Sequence, residues 1–314
     1  MLDGLRPLSV YVLEKSAHKK GPMIKARHVR HPVRSAKALG ARIQRAVATR
    51  RTAQFERTVP REAREDCWCG GKLLPFRWHA SYGVCSECGC YVNRRPPKAD
   101  ALSGLYSLDD YWQHRQVSKG IPPIERRGDL YRKDGRLAYW LDLVKRYGPR
   151  SGRVIEVGCA PGVLLAELGR LGYECIGVEA SESVVAWLRK TQNLDVRTGV
   201  FPGVEIPSCD LLLAFDVAEH TPSPASFWAE IGRLLRPGGI AIVQTPIECQ
   251  DYDHPFKTRP DWFDDVEHLF LYTDKSVCRL AGLGGLEILN LEDTPHPLNL
   301  GQVCVLKKSM GGEL

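Results

Sequence analysis

The sequence predicts an α/β fold in which a mostly parallel sheet is covered by helices on both faces and follows a small cysteine-rich lobe. Three observations carry that expectation. Apolar runs of strand length at Val154–Val157, Cys175–Val178, Asp210–Phe215 and Ile240–Gln244 alternate with helix-length segments. The first run enters a turn bearing two glycines, Gly158-Cys159-Ala160-Pro161-Gly162, and then a helix through Leu164, Leu165 and Leu168. Five of the 11 cysteines crowd into residues 67–90, where an apparently intracellular chain is better served by a metal than by disulfides.

The elements follow in order. Residues 1–60 form a basic arm, expected to be partly disordered or helical. Residues 1–66 hold 16 Lys and Arg against 6 Asp and Glu, so the rest of the chain carries a small acidic excess. A helix from Ser35 to Val47 would place Ala36, Leu39, Ile43, Ala46 and Val47 on one side and Lys37, Arg42 and Arg45 elsewhere. Such a helix suits peripheral contact with an anionic membrane, but a mobile leader or a helix docked on its own protein is the preferred reading. Because the basic excess stays in the arm, a nucleic-acid partner is not favoured, although the arm keeps it open.

Residues 61–98 read as a zinc ribbon. Cys67-Trp68-Cys69-Gly70-Gly71 and Cys85-Ser86-Glu87-Cys88-Gly89-Cys90 are two short knuckles on glycine turns, a hairpin's length apart. Tetrahedral thiolate binding of structural Zn²⁺ needs four sulfurs, and two tight turns deliver them. The expected ligands are Cys67, Cys69, Cys85 and Cys88. The first knuckle is one residue short, which leaves Cys90 or His79 as substitutes. Residues 99–128 make an aromatic linker whose Tyr111 and Trp112 suit either a lid or packing between lobes. Residues 129–308 form the main domain and 309–314 a tail. Leu130, Leu137, Trp140, Leu141 and Val144 give residues 129–147 a helical period. Later helices are expected at 183–192, 225–235 and 273–282, the second ending at the turn Arg236-Pro237-Gly238-Gly239. The last strands are expected near 285–291 and 301–307. No apolar run approaches the ~18–20 residues of a membrane span, and a cytoplasmic location without transmembrane segment is expected.

The turn carries the chemistry. Glycine at 158 and 162 lets a ligand approach the backbone, and Glu179, 17 positions after Gly162 at the end of the next strand, is placed to accept from ribose hydroxyls. The spacing is Glu-x-Gly-x-x-x-Gly, and Glu156 sits where a pyrophosphate binder would not want a carboxylate. The blocks Glu156–Gly162, Glu179, Phe215-Asp216-Val217-Ala218-Glu219-His220 and Leu235-Arg236-Pro237-Gly238-Gly239 resemble the class I S-adenosylmethionine (SAM)-dependent methyltransferases. The order of ribbon, proline turn Arg95-Pro96-Pro97, aromatic segment and main domain is similar to a subfamily with an N-terminal zinc-binding lobe. The resemblance spans about residues 65–308. It implies a Rossmann-like sheet with the last strand inserted antiparallel, and SAM as cofactor. Glu156 would face the ammonium group; Gly158, Cys159, Ala160, Pro161 and Gly162 would form the turn; Glu179 and Ala180 would meet the ribose. Val200 and Phe201 would wall the adenine, with Asp216 and Val217 at the methionine end.

Methyl transfer is an in-line displacement, so alignment supplies much of the rate. A hydroxyl acceptor also needs its proton removed, and His220 suits that task as well as it suits a structural role. Asp216, Glu219 and His220 with the later His268 also resemble metal-assisted O-methyltransferases, making Glu219 and His268 further catalytic candidates around a divalent cation. The resemblance implies O-methylation of a sugar, glycan precursor or other small metabolite. C- or N-methylation of a sugar and an RNA-modifying role are the alternatives. The acidic, aromatic stretch 251–265 is the candidate acceptor loop, and its composition equally suits a loop packed on itself.

Overall fold

The computed structural model describes residues 32–248, 262–295, 298 and 301–310. Residues Met1–Arg42 and Ile43–Leu314 form two compact units. Of the first, only residues 32–42 are described, and they are helical. Helix α1 is Pro32–Thr58, longer than the expected Ser35–Val47, because residues 44–57 lack proline and glycine and are rich in the strong helix formers Ala, Arg and Gln. The first 31 residues of the arm and most of the candidate acceptor loop (249–261) lie outside the described residues.

Strands β1 (Leu73–Pro75), β2 (Tyr82–Cys85) and β3 (Tyr91–Asn93) follow, then α2 (Ala99–Leu105), a π-helical stretch Leu108–Arg115 and the single turn α3 (Gln116–Ser118). The helix expected over 129–147 is two helices, α4 (Ile124–Lys133) and α5 (Arg136–Tyr147). They break at Gly135, whose φ of +89° lies outside the helical region. Then come β4 (Arg153–Val157), α6 (Val163–Arg170), β5 (Glu174–Glu179), α7 (Glu182–Gln192), β6 (Val196–Thr198) and β7 (Cys209–Phe215). A 3₁₀ turn Ala218–His220 leads to α8 (Pro224–Leu234), β8 (Leu235–Thr245) and β9 (Ile247–Glu248). The chain closes with β10 (Phe270–Thr273), α9 (Asp274–Leu283), β11 (Leu286–Asp293) and β12 (Gln302–Lys308). The expected turn at 236–239 is absorbed into β8, as a register shift between its pairing with Cys209 and with Leu211.

The large sheet runs β11-β12-β8-β7-β4-β5-β6. Pairs from β8 to β6 are parallel, and β12 lies antiparallel between β8 and β11. This is the Rossmann-like arrangement of the expectation. The two-residue period of each strand splits the core. Ile155, Val157, Leu212, Ala214, Ala241 and Val243 face α8 and α9 through Phe227, Trp228, Ile231 and Leu280. Val154, Leu211, Leu213, Ile240 and Ile242 face α5 and α6 through Trp140, Leu143, Leu164 and Leu168.

The cysteine lobe shares its sheet with the main domain. The order is β1-β2-β3-β10-β9, so β3 pairs with a strand that follows it by more than 170 residues. Phe76, Tyr82, Tyr91 and Leu271 form its apolar cluster, against which Phe263 packs. Phe263, placed by sequence in the acceptor loop, therefore seats on the lobe instead. Among the described residues no helix is long and apolar enough to cross a membrane.

Candidate functional site

Ligands of open α/β sheets bind beyond the carboxyl ends of the strands, and a cavity of about 290 Å³ lies there, outside β4, β5 and β7. Gly158, Ala160, Glu179 and Ala180 line one side of it, and Val200, Phe201, Asp216 and Val217 another. His220, Tyr111 and Trp112 are also on the wall. Glu156, Cys159, Pro161 and Gly162 are not. The two glycines answer to packing: with φ of +66°, Gly158 would drive a Cβ to 2.5 Å from Val217 Cγ2. Gly162, φ +83°, would meet Leu194 and Leu188 at 2.7 and 2.8 Å, so its bareness seats the turn on the end of α7.

The acids differ in their surroundings. Glu179 is buried and accepts the Ser181 N–H at 3.1 Å; burial raises its pKa to about 7 against the backbone donors that lower it. Glu156 stands behind the wall, raised to about 8 by burial, with its Oε2 lacking a hydrogen-bond partner. Asp216 occupies the left-handed region at φ +56°. It accepts from Gln244 Nε2 at 2.8 Å, and Gln244 in turn accepts from Trp140 Nε1 at 3.0 Å. The core thus aims Asp216 at the cavity. Asp210, at the opposite end of β7, instead accepts from the Arg153 N–H and from Arg236.

Glu219, His220 and His268 come together, with one donor atom from each within 4.8 Å of the others. Thr245 donates to Glu219 Oε2 at 2.8 Å. His220 Nδ1 lies 2.8 Å from the Glu267 carbonyl and His268 Nδ1 2.6 Å from that of Trp262. A carbonyl oxygen only accepts, so both rings carry a proton on Nδ1. Burial, then the neighbouring His268, lowers the His220 pKa to about 4, while burial and Asp216 raise Glu219 to about 8.

Sequence reasoning passed over Ala99, Leu102, Tyr106, Thr221 and Pro222, which also line the cavity. Thr221 is buried and its Oγ1 has no partner. Its place directly after His220 was the available signal. Ala99 and Leu102, three apart on α2, were visible only as a helical pair.

The four expected cysteines also converge, their sulfurs within 4.8 Å of one another. Cys67 and Cys88 sulfurs are 3.6 Å apart and those of Cys69 and Cys85 3.5 Å. Four sulfurs ~2.3 Å from a tetrahedral zinc would be separated by about 3.8 Å, so the cradle fits that ion. The N–H groups of Glu87 and Cys88 approach Cys85 Sγ at 3.4 and 3.5 Å, as donors to a thiolate would. Of the substitutes, Cys90 directs its sulfur to the Leu271 carbonyl at 3.2 Å. His79 stacks on Phe263 and accepts the Ser81 N–H.

A mostly parallel α/β sheet with a carboxylate-walled crevice at its strand tips places the chain among the open α/β folds that bind ligands at that edge. Residues 131–291 match the methyltransferase domain family. The chain belongs to that family, whose fold is that of the class I SAM-dependent methyltransferases. It is 37% identical over 103 residues to a Mycolicibacterium smegmatis protein described as a probable S-adenosylmethionine-dependent methyltransferase, covering 31% of this chain and 39% of the other. It is 32% identical over 126 residues to the ubiquinone biosynthesis O-methyltransferase of Mesorhizobium japonicum, covering 35% and 51%. The chain thus spans about half or less of the length of these relatives. Among solved structures it is similar to magnesium protoporphyrin IX methyltransferase from Synechocystis PCC 6803 at 16% identity and a TM-score of 0.44, over 64% of this chain and 91% of the other.

Proposed function

We propose that this protein transfers the methyl group of SAM to an oxygen of a small-molecule acceptor. The observation that carries the reading is the cavity at the tips of β4, β5 and β7, walled by Glu179, Asp216 and His220 in a chain of the methyltransferase family. Glu179 would accept from the ribose hydroxyls, Val200 and Phe201 would flank the adenine, and Asp216 and Val217 would meet the methionine end. His220, neutral with Nε2 as its acceptor, would take the proton of the acceptor hydroxyl as the methyl group moves. A sugar, a glycan precursor or another small metabolite remains the acceptor class. Within it, the apolar wall of Ala99, Leu102, Tyr106 and Pro222 favours an acceptor with an apolar or aromatic face beside its hydroxyl over a bare polyol. The relative named for ubiquinone biosynthesis supports the same direction.

A second reading is favoured by one further observation, the convergence of Glu219, His220 and His268 with both Nδ1 atoms fixed on carbonyls. That donor set fits a divalent cation, which when bound would lower the pKa of the acceptor hydroxyl. The cysteine cradle would hold a structural Zn²⁺.

Calorimetry with SAM, followed by labelled SAM offered to a panel of sugars, phenols and glycan precursors, tests the main reading; no heat and no labelled product would end it. With an acceptor in hand, His220→Ala should lower kcat by about 10²–10⁴-fold. Activity that EDTA abolishes and Mg²⁺ or Mn²⁺ restores would select the cation-assisted version.

A further inference from the structure

Arg115, at the end of the π-helical stretch, is only 2% exposed and is spent on three carboxylates at once. Its Nε donates to Glu267. Its Nη1 donates to Glu56 at 2.7 Å, and its Nη2 to both oxygens of Asp264 at 2.9 Å. Lys119, one turn on, reaches the same two carboxylates of the 264–268 turn, at 2.7 Å to Asp264 and 2.6 Å to Glu267. The second Glu267 oxygen accepts the Tyr111 hydroxyl at 3.2 Å. The Glu267 side chain therefore fastens the segment that carries two wall residues of the cavity, Tyr111 and Trp112. Its backbone carbonyl accepts the Nδ1–H of His220 at 2.8 Å. Asp264 stiffens the same turn by accepting the N–H groups of Val266 and Glu267 at 3.0 and 3.1 Å.

An apolar residue at 115 would fill space at less desolvation cost, so a buried guanidinium of this kind makes sense as a geometric constraint. We propose that Arg115 is a positioning residue: with Lys119 it clamps the Tyr111–Trp112 wall onto the 264–268 turn, and through the Glu267 carbonyl it holds the His220 ring on the cavity wall with its proton on Nδ1. The proposal rests on the cavity being the SAM site. Removing the cation leaves Asp264 and Glu267 with too little positive charge, and the turn relaxes. The carbonyl then leaves His220 Nδ1–H, and the ring drifts toward the Nε2–H form that a free imidazole side chain prefers.

The test uses the full chain with ¹⁵N-labelled histidine at pH 7.5, reading the His220 tautomer by long-range ¹H–¹⁵N correlation and SAM affinity by calorimetry. The wild type should show Nδ1–H at His220. Arg115→Gln should populate the Nε2–H form and weaken SAM binding about tenfold, ~1.4 kcal/mol. Arg115→Lys, which keeps the charge but not the fork, should fall between. Tyr111→Phe removes one hydrogen bond and no charge, and keeps the test open if Arg115→Gln does not fold; it should show the same tautomer shift at smaller amplitude. An unchanged His220 signal in every folded variant overturns the proposal. A tautomer shift in a protein that binds no SAM even as wild type would sustain the clamp and sink the cofactor reading instead.

Discussion

In the seven-stranded sheet, Leu211–Ala214 on β7 and Ala241–Val243 on β8 are wholly shielded from water, with helices on both faces. The five-stranded sheet is thinner: Leu74 remains half exposed, and four buried side chains form its own apolar cluster. It offsets that deficit in two ways, by gathering four cysteines at one end and by pairing β3 with β10. Cys88 is tied to that borrowed strand directly, since its carbonyl accepts the Thr273 hydroxyl at 3.0 Å. Tyr82 on β2 donates to the carbonyls of Asp264 and His268. The lesson is that a lobe too small to hold itself by apolar burial is built onto the main domain, and through Tyr82 its integrity is coupled to the placement of the 264–268 turn and His268.

The largest expected effect would break the comparison at the cysteines. Purified protein should contain about one zinc per chain, and Cys85→Ser should remove it and cost on the order of 4 kcal/mol of stability. Metal analysis and denaturant melts check this; a folded, zinc-free wild type would refute the cradle. Next, Leu212→Ala in the large sheet should cost about 3 kcal/mol while leaving zinc content at the wild-type level. If zinc is lost as well, the coupling of the two sheets through their shared core reaches as far as the cysteine cradle.

The smallest effect sharpens the contrast by pH. Burial raises the Glu179 pKa to about 7 in the folded chain. A raised folded-state pKa contributes stability that is complete below the unfolded value of ~4.5 and is lost as pH rises through 7. The free protein should therefore melt lower at pH 8 than at pH 6 through this group. SAM affinity should move the other way, rising a few-fold over the same range as the carboxylate ionises to accept the ribose hydroxyls. Calorimetry across that range on wild type and Glu179→Gln checks it, the variant showing a smaller pH dependence, since Glu156 and Glu219, both raised to about 8, still titrate.

Much of this was legible beforehand because it is local. The knuckle turns place Cys67, Cys69, Cys85 and Cys88 by short-range geometry, and the alternation along 154–157, 211–215 and 240–243 announces strands covered on both sides. Elements slipped where a residue answered to a distant neighbour. The break at Gly135 was hidden inside an unbroken helical period. Phe263 lies in the stretch read as the candidate acceptor loop and is packed on the lobe's aromatics. Arg115 drew no notice in the sequence, because nothing adjacent in the chain reveals Glu56, Asp264 and Glu267 gathered around it.

The amino-acid sequence by itself determined the α/β class, the alternation of strands with helices, the clustering of the cysteines and the family, since periodicity, turn chemistry and motif spacing are properties of neighbouring residues. Tertiary structure alone decided that Glu156 stands behind the cavity wall, that Thr221 lines it with an unpartnered hydroxyl, and that Arg115 meets Glu56, Asp264 and Glu267. Those outcomes depend on which surfaces bury one another across 50 to 200 residues of chain, and burial is a property of the assembled core.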